Sequence, residues 1–368
     1  MTRKTILHIG LEKTGTTAIQ EFLHSNSKTL KGSGILTPQS IRPRNNYWLA
    51  VSSYLSHRSD ALTRALKLEN QQQIIEFRTQ LIAKLRQELA ENTDCPNVII
   101  TSEQLQSHLK SLGEIGQLKT ILNQAGLAEV QILLYVREPI RIAISHWGMA
   151  IKKGAHLEAE DFEPNHRRVQ HILNFRKVIE NWQQVFGAEN ILVRRYPEGA
   201  APEVLIKDFL AATKVANPSL QYPPMDTSKT ERSNRNLSGG SLRILNAFNG
   251  KSDLIKQLNS NRRLFSRLEV TVPGSGFSPP EAVVASFEEY YRESNEWLRA
   301  NFFSDQDSLW SKHYRPSAEG LDLEAASAPL ADVLGLLEAS LGLLQESDAK
   351  ASVAPKSIGS KLRSRLKL

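Results

Sequence analysis

Four short apolar runs alternate along the chain with stretches whose apolar residues recur every three or four positions. "KTILHIG" is short, apolar and closed by a glycine, so it reads as a buried strand. The segment after it opens a helix with Ile19, Phe22, Leu23 and Leu30 on one face. From Ile74 to Leu89 the positions Ile74, Phe77, Leu81, Ile82, Leu85 and Leu89 keep helical spacing, and "NVIIT" follows as a second strand. Ile115, Leu118, Ile121 and Leu122 precede the strand "VQILLYV" in the same way, and Ile172, Phe175, Ile179 and Trp182 precede "NILVRRY". Uninterrupted apolar strands entered from helices belong to a parallel sheet covered on both faces. The pattern therefore predicts an α/β fold, doubly wound around a mostly parallel sheet, over residues 1–215.

Beyond residue 215 the rhythm changes. "NPSLQYPPMDTSKTERSNRNLSGGS" is rich in Pro, Ser, Asn and Gly and reads as a long loop returning toward the site, or as a linker. Helical spacing resumes at "LRILNAF" and around "FEEYYRESNEWLRANF", so residues 216–325 are expected to complete the same domain as a helical C-terminal extension. Residues 326–368 read as a C-terminal helix followed by a basic, mobile tail, "ASVAPKSIGSKLRSRLKL". No internal repeat is visible.

Composition narrows the classes. The chain has 368 residues and a formal net charge of +7, which favours anionic partners. Its one cysteine, Cys95, rules out a disulfide framework or a cysteine-rich zinc site. Apolar runs such as "VQILLYV" fall far short of the roughly 18–20 residues of a membrane span, and "TILHIGL" is too short and too interrupted for a secretory signal. A cytoplasmic, microbial protein is expected.

The chemistry begins at "GLEKTGTT", Gly10 to Thr17. A Walker-type loop reads G-x-x-x-x-G-K-[ST], its lysine reaching the terminal phosphates and its hydroxyl holding magnesium. Here Gly10 and Gly15 keep the glycine gap, but Thr16 takes the lysine position and Lys13 comes earlier. Metal binding loses its signature, while backbone N–H groups at the helix start still suit an anion. "KTGTT" between a strand and a helix resembles the 5′-phosphosulfate loop of sulfotransferases that use PAPS, 3′-phosphoadenosine 5′-phosphosulfate. That resemblance implies that Lys13, Thr14, Gly15, Thr16 and Thr17 hold the donor, with Lys13 as the catalytic cation and no metal required.

A second motif supports it. Sulfotransferases resemble one another where an Arg at a strand end and a Ser farther along the next helix hold the 3′-phosphate of PAPS. "YVREPIRIAISHW" has Arg137 leaving its strand and Ser145 eight residues on. Arg137 alone would read as a surface charge; its forked guanidinium suits a phosphate. "RRYPEG" resembles the family's later strand-end segment, and Arg232 and Asn234 in "ERSNRNLSGGS" are candidates for a loop over the nucleotide.

The transfer also needs a base for the acceptor hydroxyl. Many carbohydrate-type sulfotransferases have an acidic residue roughly 20–30 residues after the loop lysine, where this chain has "SGILTPQS" with neither Asp nor Glu. Glu103 in "NVIITSEQL" is the replacement, at the strand edge where open α/β sheets bind ligands. The other reading of that stretch is local: Thr101 or Ser102 caps the next helix and Glu103 favours its first turn. Glu12 and His8 are reserves, although His8 also reads as a core histidine. His146 and Trp147 are candidates to face the acceptor, and helix packing accounts for Trp147 equally well.

The expected function is sulfuryl transfer from PAPS to a hydroxyl, with a carbohydrate as the leading acceptor and a lipid or small molecule also open. Segments Ile41 to Arg64 and Lys152 to Arg168 are expected to build the acceptor pocket, and nucleic acid is not an expected partner. A P-loop kinase is the second reading, lacking a lysine after Gly15 and an Asp after "VIIT". A non-enzymatic binder of acidic glycan or nucleic acid is the third, lacking basic residues clustered with aromatics outside the tail. Oligomeric state is not encoded in any pattern seen here.

Overall fold

The first apolar run, Lys4–His8 (β1), lies in the middle of a parallel five-stranded sheet whose order is β2-β3-β1-β4-β5. The other strands are Ile35–Leu36 (β2), Asn97–Thr101 (β3), Glu129–Val136 (β4) and Ile191–Arg195 (β5). This computed structural model describes residues 3–41, 45–225, 227, 237–250, 276–310 and 313–316. The chain lays β2 and β3 on one side of β1 and then crosses to β4 and β5 on the other, so β1 marks the topological switch where such sheets bind ligands. Register adds a step. His8 lies opposite Thr101 and Leu133, while β4 continues to Val136 opposite Arg195. β1 thus stops short of β4.

Helices cover both faces because alternate strand residues are apolar in both directions. On one face Thr16–Ser25 (α1) and Pro202–Ala216 (α11) bury Ile19, Phe22, Leu23, Leu205, Ile206 and Phe209 against Ile6, Ile99, Leu133 and Tyr135. On the other, Phe175–Phe186 (α10) contacts β4, β5 and Leu112–Ala125 (α7), burying Ile115, Leu118, Ile179 and Trp182. Each such side chain contributes about 1.5–3 kcal/mol of burial. Gln71–Ala90 (α5) leads into β3, with Ile74, Leu81, Leu85 and Leu89 buried.

Three local features depart from the periodicity. β2 has two residues, too few for a pattern to register. The helix expected from Ile172 to Trp182 is two, Gln170–Leu173 (α9) and α10, divided at Asn174, whose side chain accepts from the Lys177 amide as an N-cap. Leu30 belongs to a separate turn, Ser27–Lys31 (α2), begun at Asn26. Shorter helices span Tyr47–Ser52 (α3), Ala61–Ala65 (α4) and Glu103–His108 (α6), and Pro139–Lys152 (α8) follows β4.

The chain divides into two units, one of Met1–Met149, Leu157–Asn236 and Glu281–Ser317, the other of Ala150–His156, Leu237–Pro280 and Ala318–Leu368. Both helices expected after residue 215 form, as Gly239–Gly250 (α12) in the second unit and Glu281–Phe302 (α13) in the first. In the first unit Phe287 of α13 packs edge-on to Trp147 with ring centres 5.7 Å apart, and the Tyr291 hydroxyl donates to the Pro164 carbonyl at 2.6 Å. In the second, the Asn249 amide of α12 donates to the Ile151 and Ala155 carbonyls at 2.9 and 2.8 Å. Among the described residues no helix is long and apolar enough to cross a membrane. Arg232, Asn234 and the segment 326–368 lie outside the described residues.

Candidate functional site

The loop from Ile9 to Gly15 depends on backbone that L side chains seldom adopt: φ is +64° at Gly10, +70° at Lys13 and +74° at Gly15. At Gly10 glycine is needed for a second reason. A Cβ there would lie 2.7 Å from the Glu103 Cα, a backbone atom, and 3.0 Å from the Thr16 Cγ2, whereas one on Gly15 would meet the movable end of the Leu205 side chain. Thr14 is buried, and its hydroxyl donates to the Leu11 carbonyl at 2.7 Å, closing the turn from within. Thr16 is buried and Thr17 exposed. Gly15 caps α1 without a side-chain acceptor, and the first turn has no acidic residue. The orphan N–H groups and positive dipole end of α1 therefore face a region with no built-in anion from that turn.

Arg137 meets this loop directly. Its Nη1 donates to the Lys13 carbonyl at 2.9 Å, joining two motifs far apart in sequence. Its Nε and Nη2 donate to the two carboxylate oxygens of Glu198 at 2.6 and 2.7 Å, and the guanidinium lies 5.1 Å from the centre of the Tyr196 ring. Arg141, one turn along α8, donates to Glu138 at 2.7 Å and approaches Glu198 at 3.8 Å. Ser145 stands farther along the same helix and is half-buried. Glu198 is a partner that the motifs did not announce. "RRYPEG" marks the segment, but nothing in its spacing says that its glutamate reaches Arg137.

Glu103 opens α6 beside Gly10, and its carboxylate accepts a hydrogen bond from the Gln20 amide of α1. Burial raises its proton affinity above that of an ordinary glutamate, and the charge of nearby Glu12 adds to the rise. Of the local alternative for this stretch the cap is missing, since Ser102 makes no side-chain cap and the Thr101 hydroxyl shares a 2.8 Å hydrogen bond with His8 Nδ1, while Glu103 does stand in the first turn of α6. His8 is fully buried between the rings of Tyr135 and Phe209, and burial pushes its pKa down to about 3. It is a neutral core residue, which removes it from the reserve bases. Trp147 is also core, packed on Phe162 with its indole N–H donating to the Asp161 carbonyl. Its neighbour His146 turns the other way, its Nε2 lying 3.5 Å from a Glu12 carboxylate oxygen.

Glu12 and His146 form part of the wall of a cavity of about 380 Å³, with Arg58, Asp60, His108, Lys110, Arg168 and His171. Both segments singled out for an acceptor pocket supply wall residues: Arg58 and Asp60 from the first, Arg168 from the second. His108 is oriented by the Tyr54 hydroxyl at 2.8 Å, which also donates to Asp60 at 2.8 Å. Among the described residues one group has the spacing to converge on a cation, Glu138, Glu288 and His313. The Glu138 carboxylate there already accepts from the Tyr314 amide and Arg141.

No protein-family model matches the chain, and no curated protein matches it. Among solved structures it is similar to a sulfotransferase from Alicyclobacillus acidocaldarius, with a TM-score of 0.41 and 14% identity, over 79% of this chain and 97% of that one.

Proposed function

We propose that this chain is a sulfotransferase that moves the sulfuryl group of PAPS to a hydroxyl of a carbohydrate. The observation that carries the reading is the hydrogen bond from Arg137 to the Lys13 carbonyl: a guanidinium, a group whose fork suits a phosphate, lies against the glycine-rich loop after the central strand. The uncapped start of α1, Lys13, Thr16 and Thr17 fit the 5′-phosphosulfate, while Arg137 and Ser145 fit the 3′-phosphate. For that second contact the phosphate replaces Glu198 on Arg137. The donor supplies an activated sulfuryl group on a phosphate leaving group. Lys13 then stabilises charge developing on the leaving oxygen, and Glu103 receives the proton of the attacking hydroxyl. A kinase reading is less well supported, because Thr16 follows the second glycine and Ser102 follows β3.

The test uses the whole chain. 3′-Phosphoadenosine 5′-phosphate should raise its melting temperature without magnesium, and labelled sulfate should appear on a member of a glycan panel. Lys13→Ala should lower that turnover by about 10²–10³, the cost of removing one preorganised donor to the transition state. Stabilisation by ATP with magnesium only would favour the kinase reading; stabilisation by neither nucleotide would favour a non-enzymatic binder.

A further inference from the structure

The cavity beside Glu12 narrows the acceptor, because its charged groups are unequally matched. Glu12 faces His146 and Asp60 faces His108, each at 3.5 Å. Arg58 is paired with Glu114, and Arg168 lies 3.4 Å from Asp161. Lys110 differs: it is exposed, its amide donates to the Glu114 carboxylate, and its ammonium has no hydrogen-bond or ion-pair partner among the described residues. Its neighbours are Arg58, which Glu114 already pairs, and the imidazole of His171. Burial and then Arg58 lower the Lys110 pKa, while burial and then Lys110 push His171 down to about 4. An exposed ammonium without an ion-pair partner of its own, beside a neutral imidazole on a cavity wall, is a place for an anion.

Lys110 and His171 also line a second cavity, of about 270 Å³, with Gln106, Asn181 and Trp182 on its wall. Gln106 is 3% exposed, and neither its amide oxygen nor its amide nitrogen has a partner among the described residues. A buried amide left unpaired costs roughly 1–3 kcal/mol, which a bound polar group offsets. Side-chain amides beside an indole offer donors, acceptors and an apolar wall in one place, the mixture that holds a sugar ring.

We propose that the two cavities together bind an acidic saccharide, its anionic substituent at Lys110, its neutral hydroxyls toward Gln106 and Asn181, and the hydroxyl to be sulfated toward Glu12. The proposal rests on the sulfotransferase reading and specifies its acceptor. It is tested by calorimetric titration of the full chain with three probes on one backbone: a glucose hexasaccharide, its C6-carboxylated form and its 6-O-sulfated form. At least one acidic form should bind about tenfold or more tightly than the neutral one, the margin of a charge-assisted contact, and which form does so separates carboxylate from ester. Lys110→Gln should remove most of that margin and Lys110→Arg should keep it. Equal binding of all three probes, binding of none, or a margin untouched by Lys110→Gln overturns the proposal. 3′-Phosphoadenosine 5′-phosphate is titrated in parallel. If it binds while the saccharide results fail, the sulfotransferase reading stands without this acceptor; if it does not bind, that reading fails by itself.

Discussion

The loop after β1 and the cavity beside it are built from different materials. The loop is main chain: three positive φ angles, a helix N-terminus without a side-chain cap, and a carbonyl that receives Arg137. The cavity is side chain, with Arg58, His108, Lys110, His146 and His171 delivered from separate helices and connections. The contrast teaches where each region is vulnerable. A main-chain site fails when a Cβ is added or a glycine is lost, whereas a side-chain site fails one functional group at a time.

Glu103 lies against the loop at Gly10 and feels the charge of Glu12 on the cavity wall, so it offers the largest effect. Glu103→Gln should lower sulfuryl transfer by about 10²–10⁴, the usual contribution of a general base, while leaving binding of 3′-phosphoadenosine 5′-phosphate in place. Stability should move the other way. A carboxyl whose folded pKa is raised favours the fold below its unfolded pKa and loses that contribution as pH rises through the folded value. Above that folded value the charged side chain is a net cost of burial, and there the Gln variant should melt no lower than the parent. Turnover, nucleotide affinity and melting temperature measured on one variant decide this; retained turnover would shift the base to Glu12, with His146 beside it.

Next in size is the phosphate contact proposed for Arg137. Arg137→Ala should weaken 3′-phosphoadenosine 5′-phosphate by about 1.5–3 kcal/mol, and weaken an analogue without the 3′-phosphate much less. Equal losses for both nucleotides, measured by calorimetry, would mean that Arg137 acts by holding the loop through the Lys13 carbonyl.

Gly10→Ala tests the main-chain side alone. The added methyl meets the Glu103 Cα, a backbone atom, in a left-handed conformation, so denaturant unfolding should show a loss of about 1–3 kcal/mol. Gly126→Ala is the comparison, since its φ is also positive but nothing lies within 4 Å of the new Cβ. It should cost less. The smallest effects fall on Ser145 and Glu198: Ser145→Ala should weaken the bisphosphate nucleotide by about 0.5–1.5 kcal/mol, and Glu198→Gln should strengthen it by a similar amount. A loss of affinity in Glu198→Gln would show that Glu198 orients Arg137 for the phosphate instead of competing with it.

How much was legible follows the same division. Four strands were readable because β1, β3, β4 and β5 are short apolar runs, and their sequence of helix and strand specifies a parallel α/β sheet. β2 escaped because two residues carry no period. The glycine spacing announced the loop, since positive φ and close approach leave a mark that a single residue type must satisfy. His8 was ambiguous: a histidine at a strand end serves equally well as a base or as core, and only burial between Tyr135 and Phe209 separates the two.

By itself, then, the sequence determined what is local: the apolar periods that make strands and helices, the glycines that let the loop turn, and the positions of Lys13 in the loop after β1 and of Arg137 at the end of β4. Tertiary structure alone decided which distant side chains share a space. The pairing of Arg137 with Glu198, the seat of Glu103 against Gly10 and Gln20, and the meeting of Lys110 with Arg58 and His171 depend on strand order, register and the angles of packed helices. Those quantities come from summed, non-directional burial over the whole sheet, and no short stretch of chain carries a record of them.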